Sequence, residues 1–369
     1  MKSLFFLILI INIFKIYCQD CKEYTIAEIF KKDKRGNAAV EKLLHEEGIR
    51  KDKNLDYTCA IYDEDYNIVA TGSCFGNTLR CLAVSQKHQG EGLTNKLMSH
   101  LMEYQFERHN YHLFLYTKCS TAHLLGDLGF YEIVRIKDQI VFMENRKTGF
   151  QDYLNLLAKT KKDRNKIAAI VINANPFTLG HLHLIEKACK ENDILHLFIV
   201  SEDKSIVPFD IRKKLIIEGT SHLKNIIYHD SGSYIISSAT FPSYFQKDEN
   251  AVIESHANLD LEIFAKIAKK LDISVRYVGE ETKSVVTSIY NKIMETKLPE
   301  HGIKCVIVPR KKEKSGVEIS ASNVRLLLKE GNLEGIKELV PETTYNFFMS
   351  DEGKKIIKKI EQIEDVIHY

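Results

Sequence analysis

The chain has almost no excess of charge of either sign: 52 Lys and Arg stand against 50 Asp and Glu, a formal net of +2 over 369 residues. Proteins that hold nucleic acid or membrane surfaces draw affinity from a strong basic excess, so neither class is indicated. Lysine-rich stretches such as Lys31–Arg35 and Arg310–Lys314 accordingly read as solvated loops. A long hydrophobic run is also missing. The apolar stretch Leu4–Phe14, flanked by Lys2 and Lys15, would span roughly 16 Å as a helix, against ~30 Å for a bilayer core. Residues 1–20 therefore read as a signal-type leader, although no A-x-A-like cleavage context follows. Membrane attachment is expected only if this leader is retained. A second C-x-x-C pair is absent: of eight cysteines, only Cys18 and Cys21 have that spacing, so no zinc set is completed. With 44% hydrophobic residues the chain can bury sizeable cores, and buried free thiols are expected rather than a disulfide framework. No His/Cys/Asp cluster has metal-ligand spacing, so no tightly bound protein metal is expected. Internal repeats are absent as well.

What is present divides into two halves. After the leader, Ile26–Glu47 has the periodicity of an amphipathic helix ending near Gly48. Tyr57–Tyr62, Ile68–Gly72 and Thr78–Val84, separated by turn residues, predict an antiparallel meander. A glycine-containing loop, Lys87–Gly92, leads into a helix over Leu93–Arg108. His112–Thr117 predicts a strand, Ala122–Leu128 a short helix and Ile140–Glu144 a last strand. The polar stretch Asn145–Lys166, with a helical segment near Tyr153–Leu157, is the linker candidate. The boundaries expected are a first domain over 22–147, a linker over 148–165 and a second domain over 166–369. In the second half, strands at Ile167–Asn173, Ile194–Val200, Ile226–His229, Val275–Val278 and Lys304–Val308 alternate with helical patterns, among them Phe209–Gly219 and Leu259–Leu271. This predicts a doubly wound, Rossmann-like parallel sheet with ligands at the carboxyl ends of its strands. The fold class is α/β, with a smaller α+β domain in front.

One strand end carries the chemistry. Ile167–Asn173 runs into Asn175-Pro176-Phe177-Thr178-Leu179-Gly180-His181. Pro176 shapes a turn, and Gly180 allows close backbone approach. The following helix start offers unpaired N–H groups and a positive dipole end, a seat for phosphate. Thr178 and His181 are three apart and share a face. The spacing matches the T/H-x-G-H motif of the nucleotidyltransferase superfamily. Near the C-terminus, Ile319-Ser320-Ala321-Ser322-Asn323-Val324-Arg325 resembles that superfamily's I-S-x-S-x-x-R. This pairing points to adenylyl transfer. His181 and Thr178 would hold the α- and β-phosphate oxygens of ATP, and Lys204 would reach the nucleophile and the α-phosphate. Ser320, Ser322 and Arg325 would hold the leaving pyrophosphate. Mg²⁺ would arrive on the phosphates. Arg276, Gly279, Glu280 and Glu281, at a strand end, are candidates for the nucleotide or acyl site.

Five blocks in order extend the likeness: Lys166–Ala188, His196–Arg212, Ser233–Phe245, Arg276–Glu281 and Ile319–Arg325. Through them the chain resembles the citrate lyase ligase family over nearly all its length after residue 22. The resemblance implies a reaction. Acetate and ATP give acetyl-AMP, and the acetyl group passes to the thiol of a CoA-like prosthetic group on the acyl-carrier subunit of citrate lyase, which is thereby switched on. It implies an acid–thiol ligase using ATP with Mg²⁺, with acetate and the carrier subunit as partners, no nucleic acid, and work in the cytoplasm. In the first domain, Leu82-Ala83-Val84 with Gln89-Gly90-Glu91-Gly92 resembles the acyl-CoA loop of GNAT-type acetyltransferases, and Leu128-Gly129-Phe130 that fold's late G-F-Y element. Val84, Gln89, Gly90 and Gly92 would then bind the CoA-like group. Lys87 stands where the pattern usually has Gln or Arg. Two alternatives stay open: a dinucleotide-forming adenylyltransferase of the same superfamily, and an acetyl-CoA-binding acetyltransferase or sensor.

Overall fold

The computed structural model describes residues 22–201, 205–235, 241, 249–280, 285–312, 316, 318–363 and 366. The leader and Cys18 and Cys21 lie outside them. The chain folds as two compact units, one reaching Thr117 and including Thr121–Phe130, the other holding Lys118–Ser120 and the described chain from Tyr131 onward, Phe241 included.

The first unit comprises β1 (Thr25–Glu28), α1 (Lys34–Glu46), β2 (Tyr57–Tyr62), β3 (Ile68–Phe75), β4 (Thr78–Val84), α2 (Leu93–Glu107), β5 (Phe114–Thr117) and α3 (Ala122–Asp127). Its strands run in the order β1-β2-β3-β4-β5, antiparallel up to β4 and parallel between β4 and β5. The expected meander is present. The single helix expected over Ile26–Glu47 is not: Thr25–Glu28 pairs with β2 instead, and the helix begins after Asp33. The Asp33 side chain accepts from Gly36 N at 2.9 Å, capping the helix there. Val40, Leu43 and Leu44 are buried from the helix, each worth about 1.5–3 kcal/mol.

The second unit opens with a hairpin, β6 (Tyr131–Ile136) and β7 (Ile140–Glu144), of which β6 was not legible from periodicity. Helix α4 (Gly149–Ala158) occupies the polar stretch that follows. Then come β8 (Ile167–Ile172), α5 (Leu179–Glu191), β9 (Ile194–Ile199), α6 (Phe209–Gly219), β10 (Ile226–Asp230), α7 (Glu249–Leu271), β11 (Val275–Gly279), α8 (Val285–Lys297), β12 (Lys304–Val308), α9 (Ala321–Lys329), α10 (Glu342–Met349) and α11 (Asp351–Glu361). The sheet order is β10-β9-β8-β11-β12, and every pairing is parallel. Successive strands are added to one side of β8, then to the other. The carboxyl end of β8 is therefore the switch point, where doubly wound sheets open a crevice. Ala168, Ile170 and Ile172 of β8 pack with Phe177, Ile185 and Leu195 in one core cluster.

Strand β9 alternates. Leu195, Leu197 and Ile199 enter that cluster, whereas His196 and Phe198 face the other side. His196 Nδ1 lies 2.8 Å from His229 Nε2, and both rings are buried. One nitrogen donates and the other accepts. Burial holds both histidines down, at about 4. In the unfolded chain a histidine titrates near about 6.5. As pH falls through that window, the unfolded chain takes up protons that the folded chain refuses. Stability is thus complete above about pH 6.5 and is lost toward about 4. Urea midpoints measured across this range are expected to fall with acid, and to fall less steeply in His196→Phe.

Candidate functional site

The loop leaving β8 is held from several sides. Asn175 is buried; its Oδ1 accepts from Val207 N at 3.0 Å and its carbonyl from Arg325 Nη1 at 2.6 Å. Its buried Nδ2 meets no hydrogen-bond partner among the described residues. The Asn175–Pro176 peptide is cis. Phe177 is fully buried, and a Cβ on Gly219 would lie 2.7 Å from its ring, so only glycine fits that helix end. Arg212, wholly buried, donates to the carbonyls of Asn173 (2.7 Å), Val200 (3.0 Å) and Val207 (3.0 Å). It ties the ends of β8 and β9 to the start of α6.

Thr178 caps α5, and His181 answers it. The His181 N–H donates to Thr178 Oγ1 at 3.3 Å, and the Thr178 N–H donates to His181 Nδ1 at 3.1 Å. An N–H donor cannot face a second N–H, so Nδ1 is the unprotonated nitrogen. In the neutral ring, Nε2 then carries the proton and is the donor left for a ligand. Desolvation of the ring, then the guanidiniums of Arg310 and Arg325, hold this histidine down at about 4. At neutral pH the site offers a fixed N–H dipole rather than a proton to release. His183, one residue beyond its neighbour Leu182, is half-buried on the same helix.

The second motif lies against the first. A Cβ on Gly180 would stand 3.0 Å from the Ile319 carbonyl oxygen. Ser320, buried, caps α9 by accepting from Asn323 N at 3.1 Å. Ser322 Oγ accepts from Arg325 Nη2 at 3.2 Å. Arg325, expected to face the phosphates, is itself 3% exposed and also donates from Nε to Val366 O at 2.6 Å. Its guanidinium ties the second motif to the Asn175 carbonyl, because a buried charge must be fully hydrogen-bonded.

The strand-end candidates separate. Arg276 is buried, paired with Asp260 at 3.0 Å and lying over the Phe264 ring at 4.3 Å. Its charge is paired with that carboxylate inside the helix–sheet layer. Gly279 and Glu280 are exposed at the carboxyl end of β11. Lys204 and Glu281 lie outside the described residues, as does most of the stretch after Ile235. Tyr234 is buried, donating to Glu144 Oε2 at 3.0 Å.

In the first unit, β4 and β5 pair only at Thr78↔Phe114 and Leu79↔Leu115, so they part before the half-buried Val84. The exposed Gln89 precedes Gly90 (φ 85°) and Gly92 (φ 76°), and Gly92 starts α2. Those left-handed angles require glycine. The Glu91 carboxylate between them accepts from Lys22 Nζ at 2.5 Å and from the Tyr24 hydroxyl.

Comparison with known proteins bears on both units. Residues 167–348 match the citrate lyase ligase C-terminal domain family and residues 23–132 the GNAT acetyltransferase family. The [citrate [pro-3S]-lyase] ligase of Haemophilus influenzae is 38% identical over 84% of this chain and 93% of its own. Those of Klebsiella pneumoniae (37%, 86% and 94%) and Escherichia coli K12 (36%, 88% and 94%) are similar. The chain belongs to the citrate lyase ligase family.

In this citrate lyase ligase family member, sequence reasoning missed two arginines. Arg212 sits inside a helix with nothing in its spacing to mark it. Arg310 was read as part of a solvated basic loop, yet its Nε donates to Glu280 O at 2.8 Å, and its charge is felt at His181. The available signal was its place directly after β12, at the ligand-bearing end of a parallel strand. Among the described residues, no group of three His, Cys, Asp or Glu side chains is arranged to hold a metal ion.

His181→Ala is expected to lower turnover by about 100- to 1,000-fold, the scale for one transition-state donor; AMP release measured at saturating ATP checks this. Gly180→Ala is a separate test of the contact between the motifs. Glycine inside a helix normally costs roughly 0.5–1 kcal/mol relative to alanine. Here the Ile319 carbonyl stands in the way, so the melting temperature is expected not to rise and AMP formation to fall by at least ~10-fold.

Proposed function

We propose that the chain acetylates the thiol of the CoA-like prosthetic group on the acyl-carrier subunit of citrate lyase, through acetyl-AMP, and so activates the lyase. The observation that supports this reading is the close approach of Gly180 to Ile319 O, which brings the two motifs together after the carboxyl end of β8, the end at which doubly wound sheets take their ligands. The names of the relatives support citrate lyase as the protein acted on.

The chemistry follows from what each group can do. An acetate oxygen forms a bond to the α-phosphorus of ATP; the bond from phosphorus to the bridging oxygen breaks, and its electron pair leaves with pyrophosphate. The Nε2–H of His181, already aimed by the cap, meets the charge that grows on the phosphoryl oxygens. Ser320 and Ser322 belong to the cradle for the leaving group, with Arg325 holding that cradle in place. Mg²⁺ travels on the phosphates. Acetyl-AMP then has a good leaving group where acetate had none. The carrier's thiol, after losing its proton to water, attacks the carbonyl carbon, and the carbon–oxygen bond to AMP breaks.

No protein thiol is required. Burial pushes Cys189 in the second unit up to about 12, and Cys305 is raised as well, so both stay protonated and are poor nucleophiles. In the first unit the turn at Gln89, Gly90 and Gly92, with Val84, would receive the pyrophosphate of the CoA-like group on backbone N–H groups. We infer domains at 22–147 and 166–369, and a cytoplasmic place of work, since ATP and the lyase are found there. No helix among the described residues is long and apolar enough to cross a membrane.

Incubation with ATP, acetate and deacetylated citrate lyase is expected to release AMP and restore lyase activity together. ATP–pyrophosphate exchange driven by nicotinate mononucleotide or phosphopantetheine, and not by acetate, would instead identify a dinucleotide-forming enzyme.

A further inference from the structure

We infer that the segment Lys22–Tyr24 is an autoinhibitory strap over the turn at Gly90 and Gly92, and that the CoA-like group must displace it to be seated. The inference rests on the reading of that turn as the group's seat and adds a control to it. Register brings the two segments together. Thr25, the first residue of β1, pairs with Tyr62 at the end of β2, and Val84, at the end of β4, pairs with Ala70 near the start of β3. Strands β2 and β3 are antiparallel, with Tyr62 opposite Ile68, so Thr25 and Val84 lie at one end of the sheet. Lys22–Tyr24 runs beyond the β1–β2 ladder, so strand pairing does not account for its place. Its main chain is tied by Glu23 N, which donates to Glu64 Oε1 at 3.2 Å.

Tyr24 spans the turn. Its ring meets the ring of His88, just before the turn, edge-on with 6.3 Å between centroids. Its hydroxyl donates to the Glu91 carboxylate within the turn, and its carbonyl accepts from Lys96 Nζ, one turn into α2. Lys22 Nζ pairs with the same carboxylate at 2.5 Å. One tyrosine thus touches residues before, between and after the two glycines. A diphosphate bound to the N–H groups at the start of α2 needs the same ground. Among the described residues no side chain caps that helix, so the strap bears on the turn's side chains rather than on its N–H groups. Each contact joins exposed or half-buried groups, a kind that contributes little alone and yields to competition. Together they favour the strapped form by a factor of about ten, so a group that must displace it binds about tenfold more weakly than it would to the bare turn.

The test uses the full chain, with coenzyme A as the probe. Tyr24→Ala is expected to tighten coenzyme A by about tenfold in calorimetric titration, with the melting temperature little changed because the segment lies outside the strand ladder. Glu91→Gln removes a negative charge from the turn and the strap's anchor together, so a double-mutant cycle separates the two effects. It is expected to tighten coenzyme A more when Tyr24 is present than in Tyr24→Ala. Hydrogen exchange gives a readout in the unaltered protein: the amides of Glu23 and Tyr24 are expected to exchange faster once coenzyme A is bound. The inference is overturned if Tyr24→Ala binds coenzyme A more weakly than the unaltered chain or within about twofold of it. It is overturned equally if exchange at these amides slows, which would make the segment part of the seat. If neither protein binds coenzyme A, the reading of the turn fails and the strap with it; if both bind it alike, only the strap is removed.

Discussion

The site depends on the reciprocal hydrogen bonds between Thr178 and His181. One bond satisfies an orphan N–H of the helix start, and the other accepts the cap residue's own N–H. Together they decide which imidazole nitrogen bears the proton, and they fix the ring before any ligand arrives. A donor that needs no reorganisation in the transition state is what adenylyl transfer asks of a protein. The neutral state of the ring follows from the same arrangement. A proton on Nδ1 would oppose the Thr178 N–H, and nearby guanidiniums make a second positive charge still less favourable.

Around that pair, the fold uses arginine mostly as an internal strut. Arg80, Arg212, Arg276 and Arg325 are all buried, and each meets protein oxygens. Hydrogen bonds to charged groups contribute about 1.5–3 kcal/mol, and removing one partner leaves a buried charge exposed to its full desolvation cost. These residues therefore hold strand ends and loops in register. Arg212 gathers the ends of β8 and β9, and Arg325 joins the second motif to Asn175 and to Val366. The loop leaving β8 is thus held by buried arginines that bond to the carbonyls of Asn173 and Asn175.

Much of the fold was legible because it rests on local pattern. The helix Phe209–Gly219 and the strand Lys304–Val308 have the expected bounds, since their apolar period is unambiguous. Other elements depended on distant partners. Thr25–Glu28 became a strand only because an edge of β2 was available, and α7 starts at Glu249 rather than Leu259. Strand β6 was hidden because its Glu132 and Arg135 break the apolar alternation while pairing with each other.

For the site, spacing alone determined that Thr178 and His181 share a helix turn, that Gly180 must leave room, and that a second cradle opens another helix at Ser320. These are relations within a few residues, so the linear order contains them. Only the tertiary structure decided that Ile319 lies against Gly180, that Arg325 and Arg276 are turned inward, and that Arg310 bonds to the Glu280 carbonyl beyond β11. Such facts depend on how parallel strands distant in sequence come to lie side by side. A charge becomes buried or available according to that packing, and no local pattern records it.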